Sequence, residues 1–241
     1  DGTGQYPGAK PVLEWSETKN ILWKTPMPAW TNSTPVPVGD KVFTCAEKAT
    51  LLCCDASTGK ILWSQDHEAL GSGQWPKVDK GTGYTTATPI CDGARVYARF
   101  GNGVVVAYTL DGQRVWLTDI GGSRGGEAIS QSLVLLRNRL VFFLGGDLAL
   151  ALDAATGKET WKQSVKIPDP NPGSPVAANS GDVAFVLSPT GMAFSFDGKI
   201  LAGDLGYRSC NTSPMFCDGV VYVIGEKRGG KGWNAAVKLE V

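Results

Sequence analysis

The sequence predicts an all-β chain folded as a β-propeller of four-stranded antiparallel blades. Two observations carry this. A strand–turn–strand unit recurs four times at intervals of 40 to 55 residues, the period of propellers and solenoids. A second pair of strands precedes each copy, which makes four strands per repeat.

The recurring unit is clearest at Ala151–Trp161. Leu148, Leu150 and Leu152 alternate with Ala149, Ala151 and Asp153, the period of a pleated strand. Asp153 to Gly157 is turn chemistry, an aspartate that bonds its own backbone and a glycine that accepts positive φ. The returning strand then carries Trp161. The other copies end at Trp63, Trp116 and Ala202, each four residues after the turn glycine (Gly59, Gly112 and Gly198).

Taken in order, residues 1–20 are polar and turn-rich and are expected to form an N-terminal strap over one face or edge. Ile21-Leu22-Trp23-Lys24 repeats the Ile-Leu-Trp of residues 61–63 without a repeat before it, an orphan outer strand. Blades are expected at about residues 30–65, 84–119, 128–164, 173–204 and 211–241, so that 21–241 forms one propeller domain. Thr34-Pro35-Val36, Thr88-Pro89-Ile90, Ser132-Leu133-Val134, Ser174-Pro175-Val176 and Ser213-Pro214-Met215 open the five. Gly39-Asp40, Asp92-Gly93 and Asp218-Gly219 supply hairpin turns. The fifth blade is expected to have its third strand at Ala235–Glu240 and no fourth. Either residues 21–24 complete it and close a five-bladed ring, or the chain is part of a seven- to eight-bladed propeller. An open arc would expose sheet edges that invite self-association.

The Ala-x-Asp-x-x-Thr-Gly-x-x-x-Trp unit resembles the repeat of the pyrroloquinoline-quinone-like (PQQ-like) β-propellers. That family includes quinoprotein alcohol dehydrogenases and the propeller lipoprotein of the outer-membrane β-barrel assembly machinery. The resemblance runs from about Ile21 to Val241 and speaks to fold far more than to function. It implies that Trp23, Trp63, Trp116 and Trp161 dock on the neighbouring blade, over a small residue such as Ala107, Ala151 or Ala193. Ala202 lacks this contact, so the seam after blade four is expected to be looser.

Bulk composition narrows the function. The 23 basic and 23 acidic residues cancel, so no global field draws the chain to nucleic acid or an anionic membrane. No apolar run reaches the length of a membrane span. The resemblance, not the composition, implies a periplasmic or extracellular setting, and a start at Asp1 leaves open whether a signal peptide has been removed. Six cysteines show no metal spacing and no regular disulfide framework. In the quinoprotein dehydrogenases adjacent cysteines beside the quinone form a disulfide. Here Cys53-Cys54 falls inside a strand, where successive side chains diverge, so two buried thiols are expected instead; a Cys45–Cys54 bridge stays open. His67 is the only histidine and falls in a long insert, expected as a solvated loop residue. The glycine-rich stretches 121–126 and 225–232 are expected as blade loops, since neither leads from a strand into a helix.

No catalytic, cofactor-binding or metal-ligating residue is assigned, and no cofactor is expected. The informative polar positions precede the first strand of each blade and therefore converge on one mouth of the channel. The candidate binding rim is Trp30, Asn32, Tyr84, Arg99, Asn102, Arg124, Glu127, Gln131, Arg208 and Asn211, with Glu47-Lys48 beside it; such a rim suits a protein or glycan partner. Ordinary capping of strand ends is the plain alternative. The expected function is a non-catalytic binding or scaffolding module of an exported bacterial-type protein. The alternatives are a PQQ-dependent dehydrogenase, needing a cation, a basic aspartate and an aromatic floor, and a carbohydrate-binding or carbohydrate-active propeller, needing paired carboxylates for cleavage.

Overall fold

The computed structural model describes residues 8–71, 75–78, 81–121, 131–144, 148–165, 173–207, 212–224 and 234–239. They contain strands and turns and no helix, so no helix is long and apolar enough to cross a membrane. Blade one comprises β1 (Val36–Val38), β2 (Lys41–Ala46), β3 (Thr50–Asp55) and β4 (Ile61–Asp66); blade two comprises β5 (Ile90–Cys91), β6 (Arg95–Arg99), β7 (Val104–Thr109) and β8 (Arg114–Asp119). Blade three has β9 (Val134–Leu136), β10 (Arg139–Leu144), β11 (Leu148–Asp153) and β12 (Glu159–Ser164), and blade four has β13 (Val176–Ser180), β14 (Val183–Leu187), β15 (Ala193–Ser195) and β16 (Ile200–Ala202). Blade five has β17 (Met215–Cys217), β18 (Val220–Ile224) and β19 (Asn234–Lys238), its third strand starting one residue earlier and ending two earlier than expected. Each sheet is an antiparallel meander in sequence order, four-stranded in blades one to four and three-stranded in blade five among the described residues.

The turns are set by local chemistry. In blade one Asp55 Oδ1 accepts from the Ser57 and Thr58 amides at 3.0 and 2.7 Å and from both hydroxyls at 2.6 and 2.8 Å. These side-chain bonds from Ser57 and Thr58 lead the causes that hold its carboxyl down to about 2. Asp153 repeats the turn with Ala155 and Thr156. The β3–β4, β7–β8, β11–β12 and β15–β16 ladders each carry a register shift beside the position that pairs with the outer-strand residue.

Blades meet through two periodic devices. At the periphery, four indoles each donate to a carbonyl of the following blade: Trp23 to Ala56, Trp63 to Leu110, Trp116 to Ala154 and Trp161 to Phe196, at 2.9 to 3.1 Å. Each indole lies on the turn glycine of that blade, so that a Cβ built on Gly59, Gly112, Gly157 or Gly198 would stand 2.5 to 2.8 Å from it. The seat differs from the expected alanines. Ala107 and Ala151 pair with Trp116 and Trp161 inside their own blades, and the seat across the seam is glycine because only a missing Cβ leaves room for the ring. Around the channel, a hydroxyl of each following blade accepts from the preceding inner strand: Thr34 N to Thr88, Thr88 N to Ser132, Ser132 N to Ser174 and Ser174 N to Ser213, at 2.9 to 3.2 Å.

Between these devices lie apolar seams. Phe43, Leu51 and Cys53 of blade one face Val96, Phe100 and Val106 of blade two, while Tyr97 and Val105 face Leu140, Phe142 and Leu150 of blade three. Where the fourth repeat has Ala202, the seam to blade five opens into a cavity of about 430 Å³ lined by Phe185, Leu201, Leu205, Val237 and Leu239. The looser seam expected from that substitution is therefore present.

Residues 21–24 form no strand and pair with no described residue of blade five, although Trp23 docks on blade one as an outer strand would. Leu22 is 90% exposed, and so are Met215 and Ile224 on blade five, at 59% and 70%. Residues 8–20 are exposed throughout.

Candidate functional site

The mouth at which the inner strands begin is built by interlocking loops of blades one and two. Trp30 O accepts from Glu47 N at 3.0 Å, and Tyr84 O accepts from Gly101 N at 2.9 Å. The Glu47 carboxylate then crosses the seam: its Oε1 accepts from Tyr84 N, Thr85 N and Thr85 Oγ1 at 2.7, 2.9 and 2.6 Å. Thr31 Oγ1 donates to Thr85 O at 3.0 Å. Asn32 spends its amide on the carbonyls of Gly81 and Thr82. Gly83 has φ +67°, and a Cβ there would meet Glu47 Oε1 at 2.5 Å and Trp30 Cη2 at 2.7 Å. A glycine is required for this closeness, and the result is a stiff platform.

On the platform sits an aromatic and ionic group. Trp30 is 50% exposed. Trp75 meets Tyr84 edge-on with centroids 4.7 Å apart, and Lys48 Nζ lies 5.7 Å from the Trp75 ring while pairing with Glu68 at 2.7 Å. The Glu68 carboxylate beside it raises the Lys48 ammonium above its ordinary value. Large amphipathic rings beside a cation offer stacking, hydrogen bonding and cation–π contact together.

The structure thus brings Trp30, Asn32 and Tyr84 to one mouth. Arg99, Asn102 and Gln131 lie at the same mouth but inside the protein, at 3%, 0% and 2% exposure, because the strand ends dip into the seams. Asn102 is structural: its amide donates to His67 O and Leu70 O at 2.9 and 2.8 Å. Arg124, Glu127, Arg208 and Asn211 lie outside the described residues, as do residues 122–126 and 225–232 of the glycine-rich stretches.

His67 is corrected outright, because it is wholly buried. Nδ1 is 3.0 Å from Ala49 O, which only accepts, so Nδ1–H donates and Nε2 accepts from the Tyr108 hydroxyl at 2.9 Å. The neutral ring stacks on Phe100 at 5.0 Å, and burial pushes its pKa down. It pins the insert that carries Glu68 and Trp75. Nothing in the sequence pattern marked this, since the insert belongs to no repeat. Trp75 was missed for the same reason.

Cys45, Cys53 and Cys54 are free, buried thiols, as expected of the adjacent pair. Burial pushes Cys45 up to about 12 and Cys53 to about 11, so both stay protonated at neutral pH. A Cys45–Cys54 bridge does not form, because Cys45 pairs with Leu51 and Cys54 with Val42, three rungs apart on one ladder.

A family model described as outer membrane protein assembly factor BamB matches residues 8–150. The chain is 27% identical over 146 residues to the dehydrogenase subunit of a quinone alcohol dehydrogenase of Acetobacter aceti, a match covering 54% of this chain and 19% of that subunit. It is 44% identical over 54 residues to a probable quinone-dependent quinate dehydrogenase of Xanthomonas campestris pv. juglandis, covering 22% of this chain and 7% of the relative. Among solved structures it superposes on quinohemoprotein alcohol dehydrogenase ADHIIG of Pseudomonas putida HK5 with a TM-score of 0.55 and 14% identity, over 90% of this chain and 40% of that one. The matched stretches thus span well under half of each relative, and the structural likeness concerns the fold.

Proposed function

The chain belongs to the PQQ-like propeller family whose model is described as outer membrane protein assembly factor BamB, and from that premise we propose that it is a non-catalytic scaffolding propeller of an exported bacterial protein. The partner is a protein, held at the mouth formed by blades one and two. The observation that carries this reading is the half-exposed Trp30 on its Gly83–Glu47 platform, next to Trp75, Tyr84 and the Lys48–Glu68 pair. Tryptophan, tyrosine and a flanking ion pair on rigid backbone are what interface anchors require, since little entropy is lost on docking.

The second reading is a quinone-dependent dehydrogenase, which the two curated relatives favour. In those enzymes the quinone would supply the redox chemistry. The adjacent cysteines here are protonated thiols within a strand, which favours the binding reading over the enzyme.

Affinity capture from the source cell tests the proposal. Trp30→Ala combined with Lys48→Ala is expected to lose the captured protein. Lys60→Ala with Lys158→Ala, in turns at the far end of the blades, is expected to retain it. Retention by folded Trp30/Lys48 variants would refute the assignment of this mouth. A saturable rise in melting temperature with pyrroloquinoline quinone and calcium would replace it with the enzyme reading.

A further inference from the structure

Arg99 occupies a position that the other blades fill with core side chains. By strand register its equivalents in blades one and three are Cys45 and Phe143, both fully buried. Arg99 itself is 3% exposed, in the seam between blades two and three. Among the described residues, one of its five N–H donors makes a long bond, 3.4 Å to Gln131 O. Phe142 lies beneath it at 5.4 Å, a cation–π contact that offsets part of the burial. Among the described residues no carboxylate lies within ion-pairing distance. Burial alone pushes its pKa down to about 10, so it remains charged at neutral pH.

A buried charge with no counter-charge among the described residues is destabilising, and an apolar residue of similar size would serve the fold better. Its retention therefore calls for an anion. A second observation points to the same place. Thr86, two residues before the Thr88–Ser132 link that joins the inner strands of these two blades, holds a buried Oγ1 with no hydrogen-bond partner among the described residues.

We propose that Arg99 anchors a carboxylate-binding site at the mouth of the seam between blades two and three, with the Thr86 hydroxyl as a further donor. The planar fork of a guanidinium matches two coplanar carboxylate oxygens. One positive charge over the Phe142 ring balances a monoanion; a phosphate dianion would leave the seam with excess charge. The ligand class is a monocarboxylate with an apolar body. The proposal deepens the binding-face reading and rests on it only for the choice of mouth.

The test titrates the purified chain with sodium acetate and sodium benzoate against sodium chloride at matched ionic strength, by calorimetry and thermal melting. Wild type is expected to show a saturable, carboxylate-specific rise in melting temperature, larger with benzoate. Arg99→Met is expected to lose that response while melting in chloride at or above the wild-type temperature. Arg99→Lys, a point charge without the fork, is expected to bind at least tenfold more weakly, and it carries the comparison if the Met variant does not fold. A wild type indifferent to carboxylate would overturn the proposal. So would an unchanged response in Arg99→Met, or a response seen only in Glu127→Gln, which would place the counter-charge within the chain. Trp30→Ala with Lys48→Ala is expected to keep the carboxylate response, so loss of the protein partner and loss of the anion are read separately.

Discussion

Gly157→Ala adds one methyl group and tests the blade seam directly. Gly157 has φ +69°, and the new Cβ would stand 2.5 Å from Trp116 Cε3, 2.6 Å from Cδ2 and 2.7 Å from Thr118 Oγ1. Two costs follow. The left-handed backbone conformation with a Cβ costs about 1–2 kcal/mol. The clash also lifts the indole off its seat, loosening its 3.0 Å bond to Ala154 O and part of its burial. Removing the whole ring by Trp116→Ala is expected to cost about 3–5 kcal/mol, so losing part of the dock adds about 2 kcal/mol, and Gly157→Ala should total about 3–4 kcal/mol. Gly39 is the control: its φ is +59° with nothing within 4 Å of a built Cβ, so Gly39→Ala should cost only the backbone share. Urea melts followed by far-ultraviolet circular dichroism measure all three variants. In the Trp116→Ala background the ring clash is gone and only the backbone share and the Thr118 contact remain, so Gly157→Ala should cost about 2 kcal/mol less than in wild type. Equal losses for Gly157→Ala and Gly39→Ala, or strict additivity with Trp116→Ala, would refute the docking argument.

Further expectations concern single side chains. Trp30→Ala should leave the melting temperature nearly unchanged, because Trp30 is half exposed and outside the seams, whereas Trp161→Ala should lower it clearly; thermal melts of both decide this. His67 is buried neutral with its pKa lowered by burial, so the unfolded chain binds its proton more readily. Its contribution to stability is complete above the unfolded value of about 6.5 and falls as pH drops below it toward the folded pKa. Melts from pH 7.5 to 5 should show this loss in wild type and a flatter profile in His67→Gln; parallel profiles would refute it.

The fold was legible because its signals are local and repeated. Asp153, Thr156 and Gly157 write their turn within five residues, and the tryptophan follows at fixed distance. What crosses a seam was not legible. The spacing of Trp116 says that it docks, but not that Gly157 of the next blade rather than an alanine receives it. The mouth was legible from topology, since first strands begin together, and Trp30, Asn32 and Tyr84 meet there. The burial of Arg99, Asn102 and Gln131 was not, because nothing in a strand-end sequence reports how deeply it sinks between sheets. His67 and Trp75 lie in the unrepeated insert, where no periodicity could place them; only the contacts to Ala49, Tyr108 and Tyr84 do so.

The central claim is that one mouth of this propeller is a protein-binding face. Hydrogen exchange on the chain with and without its captured partner tests it most directly. The account predicts new protection concentrated in the loops around Trp30–Asn32, Glu47–Ala49 and Trp75–Thr86, with none in the far turns around Thr58–Lys60 and Thr156–Lys158. Protection centred on those far turns, with the mouth unchanged, would contradict it.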